Sequence, residues 1–301
     1  MVTLRKAYAI CREVAAAHGE NFPVASLLLP RAMRPHVAAV YAFARTADDF
    51  ADEGRRPPAE RLRLLDGWRR RLRECAEAPP SPGQRAVTDA DPGEPAETAA
   101  IFLALGATIR DRALPVGLFD DLLAAFEQDV SVSRYDTWDD LLDYCRRSAN
   151  PVGRLVLRIA GYADSDLDAY SDRVCTALQL TNFWQDLGID FERGRIYMPR
   201  EEMLRHRAVD GDLGHPHASA PWRQTVAAAV GRTRGLFAAG RPVCDRVRGR
   251  LRVELRATWL GGMRILERLE ATGFDPLASR PTLTARDVPP LAWRLVTWSR
   301  T

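Results

Sequence analysis

Two short stretches carry oxygen ligands at helical spacing. In the segment that begins at Gln179, QLTNFWQDLGIDFERGRIYMP, Asn182, Asp186 and Asp190 recur every four residues. Far upstream, in YAFARTADDFADEG, Asp48 and Asp52 stand four apart, as do Asp49 and Glu53. Side chains at i and i+4 of a helix share one face ~5–6 Å apart, so paired carboxylates repel by a few tenths of a kcal/mol. Such a pair is commonly a solvated face, but three features point elsewhere. Aspartate is a poorer helix former than glutamate, which a solvent face would more naturally use. The second stripe adds Asn182, a neutral oxygen in register with two carboxylates. Aromatic residues crowd both motifs: Tyr41, Phe43 and Phe50 in one, Phe183, Trp184 and Phe191 in the other. Short carboxylates at this spacing suit a hard cation such as Mg²⁺, which takes oxygen ligands at ~2.0–2.1 Å and keeps positions for water or substrate phosphate. Two such stripes facing each other would hold several ions and clamp a diphosphate.

Helices must position these residues, and helical periodicity dominates the chain. It predicts helices near 4–18, 34–53, 58–77, 96–112, 116–132, 137–148, 151–161, 165–190, 221–247 and 250–272. On the second of these, Tyr41, Arg45, Asp48 and Asp52 share one face, and Val40, Phe43, Ala47 and Phe50 the roughly opposite one. In the eighth, Trp184 falls with Leu180 and Leu187 on an apolar face and reads as core. Sustained apolar–polar alternation is missing, so strands are not expected. Segments 77–97 and 210–221, rich in Pro, Gly and Asp, read as loops, and the C-terminal tail as proline-rich, then briefly apolar. Helices of like character flank both loops, which predicts an all-α chain of one domain, with a core at about 4–275 and a tail at 276–301.

The bulk composition excludes several classes. A net charge of +3 over 301 residues gives no case for nucleic acid. Lys6 is the only lysine among 43 basic residues, and no Gly-Lys-Ser/Thr occurs, so there is no Walker A loop. The five cysteines form no C-x-x-C pair, which argues against zinc and redox motifs and for reduced thiols in a cytoplasm. No glutamate is followed by histidine three residues on, the pattern a di-iron bundle requires. The N-terminus is interrupted by charge throughout and is not a signal peptide. No apolar run approaches the ~20 residues of a membrane span, so the chain is expected to be cytoplasmic, at most peripheral to a membrane.

The motif D-D-F-A-D in a Y-x-x-x-R-x-x-D setting, with N-x-x-x-D-x-x-x-D-x-x-x-x-R-I-Y-x-P, resembles the squalene/phytoene synthases. The likeness runs from about Tyr8 to about Glu270. It implies a single all-α isoprenoid synthase domain, a helical bundle whose central cavity is lined by the two acidic helices. It also implies Asp48, Asp52, Asn182, Asp186 and Asp190 as Mg²⁺ ligands. Arg45, Arg195 and Tyr197 would contact diphosphate or its bridging network. Tyr41 would line the cation pocket, and His18 and Phe22, in HGENF, would close its mouth.

Within the family, HGENFPVASLLLP, ARTADDFADEG, YCRRSANPVGRLVL and LTNFWQD most resemble the branch that acts on presqualene diphosphate in bacterial hopanoid pathways. Coupling members often read N-I-x-R-D, whereas this chain has Gln185 before Asp186. Many have Ala-Gly before Val-Gly, whereas this chain has Asn150-Pro151. The resemblance therefore implies Mg²⁺-dependent ionisation of presqualene diphosphate, rearrangement and capture of one water to give hydroxysqualene. Asn150 and Gln185 are the candidates for positioning that water. The implied partners are the prenyl diphosphate substrate, a presqualene diphosphate synthase that supplies it, and a membrane surface. Two alternatives stay open: head-to-head coupling of two allylic diphosphates, and a non-catalytic helical partner of a related synthase.

Overall fold

The computed structural model describes residues 2–17, 28–77 and 92–298. Its α-helices, in chain order, are α1 (Leu4–Ala17), α2 (Arg34–Asp52), α3 (Pro58–Glu77), α4 (Thr98–Arg112), α5 (Val116–Asp129), α6 (Trp138–Ser148), α7 (Asn150–Ile159), α8 (Ser165–Gln185), α9 (Leu187–Glu192), α10 (Arg200–His206), α11 (Ala220–Gly240), α12 (Val243–Arg246), α13 (Gly249–Ala271) and α14 (Val288–Val296). Among the described residues there is no strand, only an isolated bridge between Arg134 and Ile196. The all-α expectation is met, and several boundaries follow local chemistry. Thr137 and Asp140 cap α6 reciprocally: the Thr137 amide donates to the Asp140 carboxylate at 3.0 Å, and the Asp140 amide to the Thr137 hydroxyl at 3.2 Å. Asp164 caps α8 by accepting from the Leu167 amide at 2.8 Å. Beyond α7, Gly161 takes φ +86°, the left-handed turn that ends a helix.

The structure departs from the periodicity in several places, among them the helix expected over 221–247, which divides into α11 and α12, and α10, which the periodicity does not predict. The helix expected over 165–190 is interrupted: α8 ends at Gln185 and α9 starts at Leu187, with Asp186 between them at φ −101°, ψ 11°. The backbone bonds nevertheless continue in register, from Asp186 N to Asn182 O and from Asp190 N to Asp186 O, both at 2.8 Å. The stretch expected as a loop at 210–221 holds a 3₁₀ turn, Asp210–Gly214, and the start of α11. The tail forms a 3₁₀ turn, Ala285–Asp287, followed by α14.

The chain folds into two compact units, Met1–Ser131 with Pro151–Ala163, and Val132–Asn150 with Asp164–Thr301. In the first, α2 packs against α1, α3, α4 and α5. Trp68 of α3 is fully buried there, with its ring 4.5 Å from Phe102, 5.2 Å from Phe50 and 5.9 Å from Phe43. Its indole N–H donates to the Phe43 carbonyl at 3.2 Å, so the one polar atom of this cluster is satisfied. Each buried Phe stabilises the unit by roughly 1.5–3 kcal/mol, which fixes the rotation of α2 and therefore the face that carries its acids.

In the second unit, α8 packs against α6, α11, α12 and α13. Trp184 is fully buried, as its place on the apolar face predicts, and donates to the Thr233 hydroxyl at 2.9 Å. The segment joining α13 to α14 is tied down near both ends by buried carboxylates. Asp275 accepts from the amides of Ala218 and Ala278 at 2.9 and 3.2 Å and from Arg223 at 2.9 Å. Asp287 accepts from Arg264 at 2.8 Å, Arg268 at 2.6 Å and the Thr284 amide at 2.7 Å.

Candidate functional site

The first acidic stripe lies on α2 as the helical wheel predicts. Val40, Phe43, Ala47 and Phe50 are buried, Arg45, Asp48 and Asp49 half-buried, and Asp52 exposed. Tyr41, on the acidic side of the wheel, is also buried. Arg45 is ringed by acids of its own helix and the residue after it: Asp48 at 3.3 Å, Asp49 at 2.7 Å and Glu53 at 2.9 Å. Here it serves as counterion to the stripe, so contact with a diphosphate would require an exchange of partners.

The second stripe is built on the α8–α9 junction. The one-residue break at Asp186 keeps Asn182, Asp186 and Asp190 half-buried in four-residue register. Asn182 Oδ1 is buried and has no hydrogen-bond partner among the described residues, an arrangement costing about 1–3 kcal/mol unless a ligand completes it. Asp186 is clasped by Arg280: the guanidinium donates through Nε to one carboxylate oxygen and through Nη2 to the other at 3.1 Å. This bond to Asp186 raises the Arg280 pKa against the opposing effect of burial, and the charge of Asp190 adds to the rise. The neighbouring Gln185 is buried and donates from its amide to the Pro281 carbonyl at 2.5 Å. Gln185, expected beside the substrate, thus fastens the tail segment onto the end of α8.

The other anticipated residues of this unit have their own settings. Tyr197 is buried and stacks on Phe183, with centroids 3.8 Å apart and planes at 7°. Tyr135 and Tyr144 extend the cluster, 5.9 and 6.0 Å from the Tyr197 ring. Arg195 is half-buried, and its amide donates to Asp190 O at 2.8 Å, closing the turn after α9. Asn150, first residue of α7, is buried, and its Oδ1 accepts from the Thr176 hydroxyl at 2.9 Å. His18 and Phe22 lie outside the described residues.

Arg280 is the site residue that sequence reasoning missed. It sits in a proline-rich tail without periodicity, as one of many arginines, and reaches Asp186 across 94 positions of chain. Its side chain borders a pocket of about 560 Å³, shared with Gln185, Ile189, Phe191 and Leu277, so it has room to leave Asp186 without disturbing the core.

The donor set fits a hard divalent ion. Each stripe offers aspartate oxygens, the second adds the unpartnered oxygen of Asn182, and Asp186 already holds a cationic group in Arg280. Among the described residues no three His, Cys, Asp or Glu side chains form one cluster, so neither stripe is by itself a complete all-carboxylate cage. All five cysteines are free, and burial pushes the thiols of Cys11, Cys75 and Cys244 up to about 12.

An all-helical chain with two aspartate-bearing helices has the architecture of the isoprenoid synthases. The squalene synthase HpnC of Alicyclobacillus acidocaldarius matches it with a TM-score of 0.78 at 38% identity, covering 90% of this chain and 95% of that one. The family model for squalene/phytoene synthase matches residues 15–287, and the chain belongs to that family. It is an enzyme acting on prenyl diphosphates. It is 40% identical to the hydroxysqualene synthase of Zymomonas mobilis over 220 residues, 72% of this chain and 67% of that protein. It is 33% identical to the hydroxysqualene synthase of Sinorhizobium fredii over 272 residues, 89% of this chain and 85% of that protein.

Proposed function

We propose that this enzyme converts presqualene diphosphate and water into hydroxysqualene and diphosphate with the help of Mg²⁺. The observation that carries the metal reading is the second stripe, where an unpartnered Asn182 oxygen stands in register with two aspartates. The likeness to two proteins named hydroxysqualene synthase supports the choice of substrate. Asp48 and Asp52 on α2, and Asn182, Asp186 and Asp190 at the α8–α9 junction, would hold the ions. Bound there, Mg²⁺ would neutralise the leaving diphosphate and so lower the barrier to breaking the C–O bond.

This chain's own residues do the rest. Arg45 and Arg195 exchange present partners for diphosphate oxygens as the anion departs with the bonding electron pair. Tyr41 would line the cation pocket, where an aromatic ring face favours the carbocation left behind. Aromatic side chains around the cation would keep out bulk water, which would otherwise trap it at the wrong carbon. One water oxygen bonds to the rearranged cation and releases its proton. We assign the positioning of that water to Asn150, whose amide plane is fixed by Thr176. Gln185 is committed to Pro281. A presqualene diphosphate synthase would supply the substrate.

The likeness to a protein named squalene synthase favours a second reading, the head-to-head coupling of two allylic diphosphates. One experiment separates the two. The purified enzyme is incubated with Mg²⁺ and either presqualene diphosphate or farnesyl diphosphate, without NADPH, and the products are identified. Hydroxysqualene from the first, with little turnover of the second, is the expected result. Efficient coupling of farnesyl diphosphate would replace the assignment by the second reading.

A further inference from the structure

A hydroxyl inside a helix commonly finds its partner on that helix. Thr181, Thr225 and Thr233 each donate to the carbonyl four residues back, at 2.7, 2.9 and 2.8 Å. Ser148, the last residue of α6, does not. Its Oγ is buried and has no hydrogen-bond partner among the described residues. Asn182 and Ser148 are the two neutral side chains among these residues with a buried oxygen left in that condition. A buried hydroxyl of this kind calls for a partner from outside the chain, and water is a partner that can both give and take a hydrogen bond. The position in the chain is equally specific. Only Ala149 separates Ser148 from Asn150, whose Oδ1 accepts from the Thr176 hydroxyl at 2.9 Å. With Oδ1 so engaged, the free group of the Asn150 amide is its NH₂, a donor.

We infer that Ser148 is a positioning residue for the captured water, an inference that rests on the proposed conversion of presqualene diphosphate into hydroxysqualene. Ser148 and Asn150 supply complementary halves of a water seat. The Asn150 NH₂ donates to the water oxygen, and the Ser148 oxygen accepts one of the water hydrogens. One lone pair of the water is left for the cation and forms the new C–O bond. The resulting oxonium passes its proton to the departed diphosphate, the base that the reaction itself supplies. Ser148 orients the water without becoming charged, as a side chain beside a carbocation must.

Product analysis tests this. Wild type, Ser148→Ala and Ser148→Thr are incubated with Mg²⁺ and presqualene diphosphate, and hydroxysqualene is measured against the diphosphate released. Ser148→Ala should lower that ratio about fivefold or more, the effect of one lost hydrogen bond, with the difference appearing as hydrocarbons formed when the cation loses a proton instead of gaining water. Diphosphate release should fall less than the yield of hydroxysqualene, since ionisation precedes water capture. Ser148→Thr keeps the hydroxyl and should recover most of the ratio. The melting temperatures of Ser148→Ala and wild type should agree, because the oxygen removed has no partner in the chain. An unchanged ratio in Ser148→Ala overturns the inference. So does a lowered ratio that Ser148→Thr fails to recover, or one accompanied by a drop in melting temperature, either of which makes Ser148 a packing residue. Wild type that yields no hydroxysqualene refutes the functional reading and the inference with it. Normal wild-type yield with an unaffected Ser148→Ala removes the inference alone.

Discussion

At the scale of the residue, the informative contact is between Arg280 and Asp186. A guanidinium on a metal-ligand candidate is a built-in competitor: any divalent ion must displace it. Substituting Arg280→Gln should therefore raise the Mg²⁺ or Mn²⁺ affinity of the substrate-free protein by about fivefold, the equivalent of roughly 1 kcal/mol for a partly exposed ion pair. Calorimetry or the Mn²⁺ resonance signal reads this without turnover. Unchanged affinity would show that Arg280 and the ion do not compete, and no binding by either protein would remove the metal from the mechanism. Gln185 acts through the same segment. Gln185→Ala leaves the Pro281 carbonyl without its donor, at a cost of about 1–3 kcal/mol, and should shift metal affinity in the same direction as Arg280→Gln. A variant with normal melting temperature and normal metal affinity would make the Pro281 contact incidental.

At the scale of the element, two features set how the second unit holds its helices. Gly240 ends α11 where it passes close to α8. A Cβ there would lie 2.9 Å from the Tyr170 carbonyl oxygen and 2.7 Å from Val174 Cγ2, and the backbone atom cannot step aside. Gly240→Ala should destabilise by about 1–3 kcal/mol and lower the melting temperature by several degrees; an unchanged melting curve would mean the two helices separate without cost. The other feature is Asp287. Burial disfavours its charge, but Arg264, the Thr284 amide and Arg268 overcome that and hold its pKa far below the ordinary carboxylate range. A depressed folded-state pKa contributes stability that is present above the unfolded value of ~3.9 and is lost as pH falls below it. Wild type should therefore lose stability steeply below about pH 4, and Asp287→Asn, less stable at neutral pH, should show a shallower acid dependence. Equal acid slopes for the two proteins would exclude Asp287 as the source.

At the scale of the whole molecule, the two acidic stripes belong to different compact units, one on α2 and one at the α8–α9 junction. If ionisation draws on both, Asp48→Ala and Asp186→Ala should each cut turnover of presqualene diphosphate by roughly 10²-fold or more, with circular dichroism unchanged. The double variant should then be little worse than either single one, because residues acting as one unit are not additive. Excess EDTA should abolish wild-type turnover. Near-normal rates in either single variant would return that stripe to the role of a solvated face.

Much of this protein is legible in the residues alone, for a local reason. Helix periodicity, the capping pair Thr137–Asp140 and the four-residue stripes involve neighbours within one or two turns, whose relative positions backbone geometry dictates. The family likeness rests on those same local motifs. What tertiary structure decided depends on partners remote in sequence. The helix breaks at Asp186, where the only local signal is Gly188 two residues on, a residue that helices tolerate at a cost of about 1 kcal/mol. Arg280 and Pro281 reach Asp186 and Gln185 from about a hundred residues away, and a lone arginine in a proline-rich tail carries no signal of where it docks. α14 reads in sequence only as a brief apolar piece after a proline-rich tail. Its orientation is set by partners on α13, with Arg294 on Glu267 and Asp287 on Arg264, while Leu291 and Leu295 are half-buried and Val288, Trp293 and Val296 are exposed.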